Sequence, residues 1–219
     1  MLTIRSVQID ESDYETVYAF MQAYTASRTK QDPDYIISTT HKPIYTMGPS
    51  SSENDILNKS TEVPFFKTNR GGKITFHGPG QLVIYTLFDL RRMQIQVHQL
   101  IDIFEQSMIS FLSLYNIEGY LDPDNRGVFI QQRKIASLGI RVSKGCTYHG
   151  IAINVTTDLS YFDAINPCGL ESVKMINFEE IQKLTLKEIN SQYLQLFFDK
   201  LQSISPESID ILPYSDKIL

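Results

Sequence analysis

Cys168 sits in the turn-like run Asn166-Pro-Cys168-Gly169, not inside an apolar element. A turn is where a reactive thiol is presented, although a small packing thiol is the commoner finding there. Lys134 opens the apolar run Lys134-Ile-Ala-Ser-Leu-Gly139, and most lysines so placed are solvated strand ends. Arg70-Gly-Gly-Lys-Ile-Thr-Phe-His77-Gly-Pro-Gly-Gln81 packs four glycines and a histidine between two strand-like runs. That density lets backbone amides approach a ligand closely, but it also describes an ordinary turn. The run has no Gly-Lys-Ser/Thr at P-loop spacing and no following helix, so neither nucleotide fingerprint is met. His149-Gly-Ile-Ala-Ile-Asn154 adds a histidine and an asparagine flanking an alternating strand, both readable as satisfied core groups. Cys146, Cys168, His77 and His149 are metal-ligating types, yet no two share the close spacing of zinc motifs, so no metal site is expected.

The elements that must position these residues follow from periodicity. Ser12 and Glu15 form a capping-box pattern before apolar Tyr14, Val17, Tyr18, Met21 and Tyr24. Val97, Leu100, Ile101, Phe104, Met108, Phe111, Leu112 and Tyr115 predict a longer amphipathic helix, and Thr185 with Glu188 caps a third through Ile189, Tyr193, Leu196, Phe197 and Leu201. Strands are predicted at 35–40, 44–47, 65–69, 81–88, 127–132, 134–142 and 147–155. Consecutive strands without a helix between 127 and 155 point to an α+β fold with mixed, largely antiparallel pairing, its helices on one face. The polar stretch from Pro49 to Pro64 reads as a long loop.

At 219 residues, 42% hydrophobic and 21% charged, the chain suits a single domain spanning 1–219 with a sizeable core. The longest apolar run, Leu82 to Phe88, is far too short for a bilayer, so no membrane association is expected. The opening MLTIRSVQIDESDY lacks a basic stretch followed by an apolar one, and a cytoplasmic location is the expectation. A net charge of −5 argues against general nucleic-acid binding. It hides two basic segments, 67–92 and 124–150, each with five basic residues against one acidic. They read either as scattered surface charge or as a positive patch, to which Arg91, Arg92, Arg133, Arg141 and Lys144 would contribute.

Read together, RGGKITFHGPGQLVIY, RKIASLGIRV, CTYHGIAINV and INPCGL, with His41-Lys-Pro-Ile-Tyr-Thr-Met-Gly48 before them, resemble the lipoyl(octanoyl) transferase family over residues 35–178. The resemblance implies a mixed sheet flanked by helices, as in the biotin and lipoate protein ligases. It also implies transfer of an octanoyl group from octanoyl-acyl carrier protein to a lysine of lipoyl domains, through a thioester on the enzyme, with no cofactor. The acceptors implied are lipoyl domains of 2-oxoacid dehydrogenase complexes and the glycine-cleavage carrier protein. Carried onto this chain, the nucleophile is Cys168 and its activating partner Lys134. The acyl pocket is assigned to Arg70, Gly71, Gly72 and Lys73, then Ile74, Thr75, Phe76 and His77 along the first motif. Ser137, Leu138 and Gly139 come from the second, and Gly150, Ile151 and Ala152 from the third. The competing reading is an ATP-dependent lipoate or biotin ligase of the same fold, which has no need of a thiol at Cys168.

Overall fold

Every residue of Gln81–Leu87 is buried, the condition of a strand in the middle of a sheet covered on both faces. The computed structural model describes residues 2–59, 61–166 and 173–213, so Cys168 lies outside the described residues. In chain order the elements are β1 (Leu2–Ser12), α1 (Tyr14–Ser27), β2 (Asp34–His41), β3 (Ile44–Met47), β4 (Phe65–Lys67), β5 (Thr75–His77) and β6 (Gln81–Leu87). Then come α2 (Leu90–Met93), α3 (Val97–Ser113), β7 (Tyr120–Asp122), β8 (Asn125–Ile130), β9 (Arg133–Ser143), β10 (Cys146–Asn154), β11 (Lys174–Met175), α4 (Leu186–Ile204) and β12 (Ile209–Pro213).

Among the described residues the main sheet runs β12-β1-β2-β6-β10-β9-β8-β7, with β11 added beside β9. The pairs of β1 with β12 and β2, and of β11 with β9, are parallel; the remaining pairs are antiparallel. The sheet is therefore mixed and largely antiparallel, as the strand spacing predicts.

The helices do not share one face. Ile36, Leu82, Ile84, Ile151 and Ile153 pack with Phe104 and Phe111 of α3 and Phe197 of α4. Their strand neighbours Tyr35, Ile37, Val83, Tyr85 and Ala152 point the other way and pack with Tyr14, Val17 and Met21 of α1. Period-two alternation thus gives each strand two apolar faces, and each needs its own cover. The first helix is also capped differently from expectation. Asp13 accepts from the Thr16 amide at 3.1 Å, while Ser12 ends β1 with its hydroxyl 3.0 Å from His41 Nδ1. The predicted cap on α4 is present, with Thr185 accepting from the Glu188 amide.

A second, three-stranded sheet, β4-β3-β5, lies over the α1 side with its own cluster around Tyr45, Phe76 and Phe162. The 49–64 loop contains a short turn at Glu53–Asp55, and Asp55 ties it down through two contacts. Asp55 pairs with Lys73 at 3.5 Å, and its carbonyl accepts from the Asn166 amide at 2.7 Å. Among the described residues no helix is long and apolar enough to cross a membrane.

Candidate functional site

The register of three strands builds the floor of a cavity on the α1 side. Gly150 of β10 lies opposite Tyr85 of β6 and Gly139 of β9, and Ala152 lies opposite Val83 and Ser137. With strands spaced at about 4.8 Å, these two rows cross about 10 Å of sheet. The middle of each row carries only small side chains. The first glycine-rich loop closes over them, with the Gly71 amide donating to the Ile140 carbonyl at 3.4 Å. Gly139 permits this approach, since a Cβ there would stand 2.7 Å from the Gly71 carbonyl oxygen. The cavity, open on one side, has a volume of about 200 Å³, more than the roughly 150 Å³ of an engineered apolar cavity that takes up benzene.

Lys134 lines this cavity with its side chain fully buried. Its Nζ donates to Asn125 Oδ1 and, at 3.0 Å, to the Arg126 carbonyl, and it lies 5.1 Å from the centroid of the Phe129 ring. These acceptors and the ring face offset part of the cost of taking an ammonium out of water. The stem needs room on β8, and Gly127 supplies it at φ +139°, where a Cβ would come within 3.2 Å of Lys134 Cε and 2.4 Å of the Ala136 carbonyl oxygen. Lys174 and Met175 of β11 pair with Arg133 and Lys134, so β11 runs beside the lysine's own strand.

Arg70 is held by Thr46, with Nε donating to Oγ1 at 3.0 Å and Nη2 to the carbonyl at 2.6 Å, while Nη1 reaches the Gly71 carbonyl. Beside it stands a buried group of three histidines. Gln81 Nε2 donates to the Phe76 carbonyl and to Asn154 Oδ1, which leaves its Oε1 to accept from His77 Nδ1 at 2.7 Å. The expected buried Asn154 is thus a satisfied core group. His41 Nε2 meets the Tyr85 hydroxyl at 2.7 Å, and the His77 ring stacks on Tyr14 at 5.7 Å.

Burial pushes His41 down to about 4. Burial, then the charges of Arg70 and Arg141, takes His149 to about 3, and burial followed by neighbouring His41 and Arg70 holds His77 well below its ordinary value. All three are neutral at pH 7. The unfolded chain binds their protons near pH 6.5 and the folded chain does not, so stability is lost as pH falls from about 6.5 towards 4. Chemical denaturation at pH 7, 6 and 5 should show this decline, by up to about 1.4 kcal/mol per pH unit for each histidine. His41→Asn should flatten it; an identical slope in that variant would remove His41 from the account.

Of the residues assigned to the acyl pocket, all but one line the cavity: Arg70 to Thr75, His77, Ser137 to Gly139 and Gly150 to Ala152. Phe76 does not. The alternation of β5 turns it away from Thr75 and His77, onto Tyr161 at 4.5 Å in the third cluster. Tyr14, Val83, Tyr85, Asp124, Asn125, Arg126 and His149 line the cavity as well. Of these, Tyr14 carries only a core-helix signal in the sequence, and Asn125 carries none. Cys146 is a buried free thiol beside Asp89 and Arg91, away from the cavity, and burial raises its pKa.

The basic residues separate into groups. Arg91 pairs with Asp89, Arg92 with Asp34 and Arg133 with Glu180, and Arg91 and Arg92 line a different cleft with Lys30. Arg126 lines the cavity itself, and Arg141 lies close enough to act on His149. The patch expected from the sequence is therefore divided, and only part of it faces the site.

The family model for the lipoyl protein ligase A/B catalytic domain matches residues 13–198. The chain is 41% identical over 194 residues to the octanoyltransferase of Shewanella pealeana, covering 88% of each. Its fold is similar to that of lipoate-protein ligase A bound with ATP, with a TM-score of 0.79 at 15% identity over 99% of this chain and 90% of that one. It is also similar to the biotin protein ligase of Aquifex aeolicus in complex with biotin and ATP, with a TM-score of 0.57 at 14% identity over 93% and 73%. On this evidence the chain belongs to the lipoyl protein ligase A/B catalytic-domain family and, within it, is an octanoyltransferase-type acyltransferase of protein lipoylation.

Proposed function

We propose that the chain accepts an octanoyl group from acyl carrier protein as a thioester on Cys168 and passes it to a lysine of a lipoyl domain, with Lys134 as the partner of Cys168. The observation that carries this reading is the meeting of three separated segments, 70–75, 134–139 and 150–152, on one cavity that has a buried lysine in its wall.

A thiol near pKa 8.5 is only a few per cent thiolate at neutral pH, and an adjacent ammonium favours the anion. The Cys168 thiolate attacks the carrier thioester carbonyl; the carrier thiolate leaves and takes up a proton. The octanoyl–Cys168 bond keeps the activation of the original thioester. A deprotonated lysine amine then attacks it, the Cys168 thiolate departs, and an amide more stable than either thioester results. Lys134, once neutral, accepts the proton that the amine sheds. No ATP is consumed at any step.

Amide formation on a lipoyl domain from octanoyl carrier protein, with ATP omitted, tests the reading. Transfer should be lost in Cys168→Ala and kept in Cys146→Ala, whereas a strict requirement for ATP would favour the ligase alternative.

Arg126 and Arg141 give the site a positive rim for an acidic carrier protein. Charge reversal at both should slow association with octanoyl carrier protein at low salt. Screening over about 10 Å at 0.1 M salt should narrow the gap to wild type. Reaction with a small uncharged octanoyl thioester should change much less. Equal effects on the two donors, or an equal loss on reversing Arg91 and Arg92, would contradict this placement.

A further inference from the structure

Asn125 is 3% exposed, lines the cavity, and accepts from Lys134 Nζ through Oδ1. A lysine ammonium only donates, so this contact fixes which end of the carboxamide faces it. The other end, Nδ2, is buried and has no hydrogen-bond partner among the described residues. A buried amide donor without an acceptor carries a desolvation cost that folding does not recover, and groups of this kind call for a missing partner. Asn125 opens β8 directly after a two-residue turn from β7, and Gly127 two residues later pairs with Ser137 of the cavity floor. Asn125 therefore stands in the wall of the cavity that Lys134, Ser137, Leu138 and Gly139 also line.

The missing partner must offer an acceptor and fit beside an apolar tail. A thioester carbonyl does both, since its oxygen accepts and no atom of the group donates. We infer that Asn125 Nδ2 donates to the carbonyl oxygen of the bound octanoyl thioester. One side chain then holds Lys134 through its oxygen and the reacting carbonyl through its nitrogen. As negative charge develops on that oxygen the same donor stabilises it, without reorganising because Lys134 has already fixed its orientation. The inference rests on the octanoyl-thioester reading of this cavity. A residue that only buttresses Lys134 would need its oxygen alone.

Two substitutions separate the roles. Asn125→Asp keeps an acceptor for Lys134 and removes both N–H donors, while Asn125→Leu removes both functions. S-ethyl octanethioate labelled with ¹³C at the carbonyl is bound to the Cys168→Ala chain, and its carbonyl stretch is read by isotope-edited infrared spectroscopy. The band should lie at lower frequency with Asn125 present and return upward in Asn125→Asp and Asn125→Leu alike. With Cys168 intact, kcat for octanoyl transfer should fall about 10²-fold in Asn125→Asp, with KM changing much less. A bound-probe band unmoved by either substitution overturns the inference while leaving the octanoyl reading intact. Should Asn125→Leu fail to fold, Asn125→Asp alone decides. A Cys168→Ala chain that is itself acylated refutes the nucleophile, and the carbonyl band of that adduct still reports on Asn125. A chain that binds no octanoyl thioester refutes both the reading and the inference.

Discussion

Lys134→Met is expected to lower octanoyl transfer by about 10³-fold, within the range lost when a positioned proton-transfer group is removed, while the chain stays folded. Methionine keeps most of the buried stem volume beside Gly127 and Phe129 and discards only the ammonium. Lys134→Ala should be worse for stability, since it opens a cavity, and both variants leave Asn125 Oδ1 and the Arg126 carbonyl without this donor. In each variant the alkylation pKa of Cys168 should rise, every unit of rise corresponding to about 1.4 kcal/mol of lost thiolate stabilisation. Lys134→Arg should fail too. A guanidinium keeps the charge, but it cannot accept a proton near neutral pH, and its planar fork needs width where β8 comes close at Gly127. Unchanged alkylation of Cys168 together with full turnover in Lys134→Met would separate the lysine from the chemistry.

The second large effect concerns the tail. Ala152 is 6% exposed and sits in the middle of the cavity floor, opposite Val83 and Ser137. Leucine there adds three carbons where the octanoyl chain is to lie. At about 0.8 kcal/mol per buried methylene, excluding three of them costs about 2.4 kcal/mol, or about 50-fold in kcat/KM for octanoyl donors. Acyl groups shorter by three carbons still fit, so Ala152→Leu should abolish the preference for octanoyl over pentanoyl thioesters. A loss equal for every chain length would mean that the tail does not pass over Ala152, and that the substitution acts through packing with α1.

Most of the cavity is legible in the sequence because its walls are small residues at period two. Ser137 and Gly139, Gly150 and Ala152 sit in runs whose strand character is plain, and the register then sets them opposite one another. Phe76 shows the limit of that reading. It belongs to the same motif as Thr75 and His77, but a strand turns every second side chain away, and the motif alone does not say which face the cavity occupies. β1 escapes periodicity because its register slips between Gln8 and Glu11, so the apolar alternation of Leu2 and Ile4 does not continue through the acidic end. The two-sided cover of the sheet escapes because Gln81–Leu87 buries polar and apolar residues alike. Asn125 carries no local signal. Only the fold, through the β7–β8 turn and the space at Gly127, brings its carboxamide onto Lys134.

The central claim is a covalent octanoyl–Cys168 intermediate, and intact-protein mass spectrometry after brief mixing with octanoyl carrier protein, without ATP, tests it most directly. A gain of one octanoyl group is expected on the wild-type chain and on Cys146→Ala, released by hydroxylamine and absent from Cys168→Ala. An octanoyl adduct that persists on Cys168→Ala, or a wild-type chain that transfers octanoyl to a lipoyl domain without ever carrying it, would contradict the account.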